Sequence, residues 1–222
     1  VWTWGLVNTR PDLSLISMKL FKNIKKWLEN QEHLFYLFLF ILIVPNIVLC
    51  FTEPLPVMAK VANVLLPFGC YYLLMTLSRN CGKMLWILFL FLFFGAFQIV
   101  LLYLFGQSII AVDMFLNLVT TNSSEALELL DNLTPAIIAV IILYVPALIL
   151  GTISIIRKRK LSVEFIRRER KRAFIVFGIS LLSLAGAYVQ DSGYELKSDL
   201  YPLNVCYNVG LAFQRTVLTQ NY

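Results

Sequence analysis

The chain has 222 residues, of which 59% are hydrophobic and only 14% charged. A soluble domain is nearer half apolar and a quarter charged, so this balance excludes a large water-facing domain within these residues. The net charge of +6 clusters beside apolar runs, where basic residues set membrane topology, and is not read as a nucleic-acid footprint.

The apolar excess falls in runs of about 20 residues, the length that crosses a hydrocarbon core. The expected fold class is all-α: a polytopic membrane protein with five transmembrane helices and short interfacial helices on its outer side. Residues 1–17 carry no initiator Met, and Met18 opens the stretch MKLFKNIKK. Residues 1–17 are therefore expected to be upstream or leader sequence, apart from a five-span domain over 18–190. Lys19, Lys22, Lys25 and Lys26 alternate with Leu20, Phe21, Ile24, Trp27 and Leu28, the pattern of an interfacial helix with an aromatic anchor.

Span one is expected over 33–51 with Pro45 inside, followed by a tight turn at 52–56. Span two covers 57–77, with Lys60 near its start and Asn63 and Pro67 deeper. The loop 78–83 carries Arg79 and Lys83. Span three covers 84–105, with Gln98 as its one strongly polar residue and an interhelical hydrogen bond as its expected use. Thr134-Pro135 reads as the start of span four, with Thr as N-cap and Pro at the first helical position. That span ends near 156. The run 157–172 then holds nine basic residues against two acidic ones, and it reads as a topology-fixing loop that touches anionic lipid. Span five covers 173–189. Its Gly178, Ser180, Ser183 and Gly186 suit close helix packing. Residues 191–222 read as a linker on the outer side. Basic segments alternate with acidic ones at every crossing, which places the N-terminus inside and the C-terminus outside.

Cys50, Cys70, Cys81 and Cys206 form no CxxC pair, and His33 is alone. Neither set has the spacing of a zinc site.

The polar stretch between spans three and four, within the loop 106–134, carries the candidate site. Asp113, Asn117, Thr121 and Glu125 recur every four residues. On one helix this spacing keeps all four along one side, turned about 40° per step. Two uses stay open for Glu125. Asn122-Ser-Ser-Glu125 has the form of a capping box, in which Glu125 starts a short helix over 123–131. A zwitterionic lipid head group also fits, with the Glu125 carboxylate facing its ammonium. Thr121 and Asn117 would then donate to phosphate oxygens. Neither an activated nucleophile, nor a metal cluster, nor a phosphate-cradling loop is legible.

The pattern Met114-x-x-Asn117-x-x-x-Thr121-Asn122-x-x-Glu125-Ala126 resembles the signature of the membrane domain of lipid A phosphoethanolamine transferases, the family of the colistin-resistance enzymes. The five-span layout and the Pro-Leu-Asn tail are similar as well. The resemblance implies a multi-pass protein of the bacterial inner membrane, monomeric, with a periplasmic C-terminus. It implies phosphatidylethanolamine as donor, lipid A or a related glycan as acceptor, and Asn117, Thr121 and Glu125 as head-group contacts. It assigns the threonine nucleophile and zinc to a periplasmic domain outside these residues, so no cofactor is expected in this chain. The chain departs from the family pattern at Ala111 and Ser108, where an Asp and a Tyr are usual. Two other readings remain: a small transporter or channel subunit using Lys60, Asn63 and Gln98, and a non-catalytic membrane anchor.

Overall fold

The computed structural model describes residues 13–105 and 123–220, and no strand occurs among them. Helix α1 (Leu13–Glu29) is amphipathic, with Phe21, Ile24 and Trp27 exposed beside its four lysines. Its C-terminal end meets α2, where Trp27 stacks on His33, and Leu28 packs against the core, while the rest of the apolar face is exposed, as suits an interfacial helix. The helix continues through the 17/18 boundary. Asn30 then caps α2 (Gln31–Thr52), accepting from the Glu32 amide at 2.9 Å.

Helices α3 (Val57–Met75), α4 (Cys81–Ile87), α5 (Phe89–Phe105), α6 (Ser123–Ile156) and α7 (Val163–Gln190) follow. Four helices are long and apolar enough to cross a membrane, namely α2, α3, the 133–156 part of α6, and α7. The α4–α5 pair, bent by 63°, brings the number to five if it counts as one span. By length and composition this is a multi-pass helical architecture. Phe40, Phe93, Ile142, Ile149 and Leu182 are exposed on its outer faces, where lipid is the matching solvent.

Two expectations are corrected. Span three is not one straight helix, because it breaks at Leu88. No proline or glycine stands at the break. Close contacts hold each half. A Cβ on Gly82 in α4 would overlap the Gly151 carbonyl oxygen of α6, whereas one on Gly95 in α5 would lie 2.8 Å from Pro45 Cγ and 2.9 Å from the Tyr144 hydroxyl. Both half-helices pack on α6, α4 at Gly151 and α5 at Tyr144, and α5 also meets Pro45 of α2. The apolar crossing part of span four does begin near Thr134-Pro135, but the helix does not, because α6 runs unbroken from Ser123 with Pro135 and Pro146 inside it. A proline forfeits one backbone hydrogen bond, and membrane helices tolerate that loss.

Helices α3 and α7 form the most extensive pairing, through Ala59, Ala62 and Gly69 on α3 and Ala173, Phe177, Ser180 and Ala187 on α7. A Cβ on Gly69 would sit 3.1 Å from the Phe177 Cα, so the backbones touch here. Ser180 and Ser183 are buried as packing residues, and each donates to a carbonyl one turn back in its own helix. Gly178 is different: an added Cβ there meets nothing within 4 Å.

Hydrogen bonds define the two ends of the bundle. At one end the Ser154 hydroxyl donates to Gln31 Oε1 at 2.6 Å, and the Asn80 amide donates to the Arg159 carbonyl at 2.9 Å. Arg79 Nε donates to the Leu161 carbonyl at 2.9 Å. This is the basic end. At the other end Gln190 Oε1 accepts from the Met58 amide at 2.9 Å. The chain then forms α8 (Leu196–Asp199) and α9 (Leu203–Gln220), joined across a cis Tyr201–Pro202 peptide.

Candidate functional site

Asn117 and Thr121 lie outside the described residues. Glu125 lies in the first turn of α6, with its side chain outside the description. The elements that flank the strip in sequence are described. It joins the end of α5 at Phe105 to the start of α6 at Ser123. Leu101 and Leu102, in the last two turns of α5, pack with Leu49 of α2 and with Tyr201 and Val205 of the tail. The tail therefore sits beside the point where the strip leaves α5.

What holds the tail there is a polar knot. Asn46, one residue past Pro45, is 1% exposed, and its amide donates to the Asn63 carbonyl at 3.0 Å and the Tyr201 carbonyl at 2.8 Å. Asn63 in turn donates to the Asp199 carbonyl at 2.7 Å and accepts from the Tyr194 hydroxyl. Tyr201 is 1% exposed and directs its hydroxyl toward the Phe91 carbonyl at 3.4 Å. Backbone carbonyls buried this deep need donors, and two asparagine amides supply them. The recess bounded by Glu53, Lys60 and Asp199 around the knot has a free volume of about 10 Å³, roughly one water. It is a clasp with no room for a lipid head group. Asn46→Leu should leave the Tyr201 and Asn63 carbonyls without their donor, at about 2 kcal/mol. Limited proteolysis should then cut 191–203 at least tenfold faster. Unchanged cleavage would show that Asn46 does not hold the tail.

The basic end contains a second polar centre. The apolar part of α7 begins at Ala173, so Glu169 stands in the charged section before it. Its side chain is fully buried among the arginines. Arg168 Nε and Arg172 Nη1 meet Glu169 Oε1 at 2.9 and 3.0 Å, and the Tyr72 hydroxyl of α3 donates to Oε2. Burial pushes this carboxyl up. Hydrogen bonds from Tyr72, Arg168 and Tyr36, with the Arg172 charge, outweigh burial and hold it below the usual carboxylate range. Arg168 also lies 5.2 Å over the Phe165 ring, which stands edge-on to Phe35. The centre fastens α7 to α2 and α3. Sequence reasoning missed it, although one acid inside RRERKR was the available signal.

The residues considered for a transport path are placed differently. Asn63 is committed to the knot, and Gln98 is fully buried within α5. Lys60 stands at the rim of the small recess. Among the described residues no group of three His, Cys, Asp or Glu side chains could hold a metal ion. No protein-family model matches the chain, and no curated protein or solved structure shows significant similarity to it.

Proposed function

We propose that this chain is the membrane-embedded part of a phosphoethanolamine transferase of the bacterial inner membrane, with its basic end in the cytoplasm. The observation that carries the reading is the packing of Tyr201 and Val205 of the tail against Leu101 and Leu102 near the end of α5, the helix that leads in sequence into the strip. The Glu125 carboxylate attracts the ammonium of phosphatidylethanolamine, and Thr121 and Asn117 donate to its phosphate. The chain's contribution is positioning, a rate term in its own right when donor and acceptor are both lipids. The acceptor is lipid A or a related glycan. Nucleophile and zinc belong to a periplasmic domain, and no residue of this chain is assigned to either.

The test uses the purified chain in nanodiscs of mixed phosphatidylethanolamine and phosphatidylglycerol, with retained lipid read by native mass spectrometry. Phosphatidylethanolamine should be enriched, and Glu125→Gln should weaken its retention about tenfold, the worth of one charge-assisted contact. Equal retention of both lipids by the parent chain would sink the reading. So would a variant that loses stability while its lipid retention holds, because Glu125 would then be a helix cap alone.

A further inference from the structure

We propose that the basic end holds a built site for an anionic phospholipid, formed by Arg79, Arg167, Arg170 and Lys171. This is a different site from the donor-lipid strip, at the opposite end of the bundle, and it is narrower than a general attraction of the 157–172 run for charged membranes.

The nine basic residues of that run do not act alike. Arg168 and Arg172 face inward and are spent on Glu169. Arg159 donates to the Glu29 carbonyl at 3.0 Å. Arg167, Arg170 and Lys171 lie on another side of α7, one turn apart, and line a recess of about 400 Å³. Arg79, from the connection between α3 and α4, completes it. Arg79 and Arg170 are fixed in place by backbone carbonyls, those of Leu161 at 2.9 Å and Thr76 at 2.7 Å. Those bonds leave their charges uncompensated. Arg167 and Lys171 have neither a hydrogen bond nor an ion pair among the described residues. Four cations therefore converge on one recess with no carboxylate lining it. A phosphate group is the matching anion, and guanidinium forks suit its geometry.

The source of the phosphate is a lipid, because the same face continues as an apolar groove. Ile166 and Phe174 form the floor of the recess. Phe174 is 60% exposed and stands at the first apolar turn of α7. One turn further on is Gly178, where nothing lies within 4 Å of an added Cβ, and one turn beyond that Leu182 is 74% exposed. Residues 170, 174, 178 and 182 follow one side of the helix. The glycine leaves a trough between two large apolar side chains, the shape that an acyl chain fills. A soluble phosphate compound would have no use for it.

The experiment uses the whole chain in nanodiscs of phosphatidylcholine doped with cardiolipin, with retained cardiolipin read by native mass spectrometry. The parent chain should retain cardiolipin above its bulk share. Arg167→Glu with Lys171→Glu should weaken retention at least tenfold, since each basic side chain near a bilayer contributes measurably to anionic-lipid binding. Neither side chain has a partner to lose, so the fold should hold. The charge-matched control Lys19→Glu with Lys22→Glu, on α1, should change retention by less than twofold. Gly178→Leu should weaken retention several-fold by filling the trough with no change of charge. Equal losses from the α7 and α1 pairs would overturn the site in favour of diffuse surface charge. Displacement of cardiolipin by millimolar inorganic phosphate, with Gly178→Leu silent, would overturn the lipid as its source. Retention of phosphatidylethanolamine at the strip is read separately and does not depend on either result.

Discussion

Glu169→Ala should lower the stability of the detergent-solubilised chain by about 3 kcal/mol, read by SDS titration. The reason is asymmetric burial. The carboxylate is fully buried, whereas the side chains of Arg168 and Arg172 are 54% and 56% exposed. Without the acid the two guanidiniums turn to water at little cost. The Tyr72 hydroxyl cannot follow them, and it loses a charged acceptor. The helix α7 loses one of its polar ties to α3 at the same time. Tyr72→Phe should cost less, about 1.5 kcal/mol, because the arginines still serve the carboxylate. The contribution also has a pH signature. The folded carboxyl is held below its ordinary value of 4.5, so the stabilisation is complete above that pH. It is lost as pH falls through the lowered folded value. A Glu169→Ala variant as stable as the parent chain at pH 7 would show that the cluster is incidental to the fold.

Gly82→Val should be at least as damaging, by about 3 kcal/mol or more, and should prevent α4 from docking on α6. The first atom added at Gly82 would overlap the Gly151 carbonyl oxygen and lie 2.8 Å from the carbonyl carbon. Those are backbone atoms of a helix and cannot rotate away. The reciprocal change is milder. A Cβ on Gly151 would lie 3.3 Å from the Leu85 Cδ2 and 3.5 Å from the Gly82 Cα, so Gly151→Ala should cost under about 1 kcal/mol. Gly210→Ala, where nothing lies within 4 Å of the new atom, should be neutral or slightly stabilising, as expected for a helical glycine. A simple loss of helix flexibility would treat the three glycines alike. Packing predicts the order Gly82, Gly151, Gly210, and equal effects would refute it.

The crossing helices were legible because hydrocarbon thickness and backbone satisfaction leave a chain few choices. The alternation of basic and acidic connections agrees with the hydrogen-bonded grouping of Gln31, Asn80, Ser154 and Arg159 at one end. The break at Leu88 was not legible, because no proline or glycine marks it and the contacts that hold the two halves, at Gly151, Tyr144 and Pro45, are remote in sequence. The helix start at Thr134-Pro135 was misread for a related reason. Thr-Pro is a strong helix-start signal in water, and it loses force where the helix is already running and has no water to compete for its carbonyls. The tail was read as a linker because nothing in YPLN announces burial, yet Tyr201 is among the most deeply buried side chains. Of the candidate site, the sequence named residues, and the structure describes the helices that precede and follow them in the chain.

The clasp at Asn46 also sets an order of events during synthesis. One of its two acceptor carbonyls belongs to Asn63, close in sequence, and the other to Tyr201, 155 residues later. Until that segment emerges from the ribosome, the Asn46 amide has only one of its two acceptors, and a half-satisfied amide in an apolar interior is costly. Contacts of such long sequence separation form late. The nascent bundle therefore stays open at this end through the insertion of every helix before the tail, and it locks only when the segment around Tyr201 returns to it. A polypeptide interrupted before residue 201 would keep that seam exposed, which is the kind of surface that membrane proteases recognise.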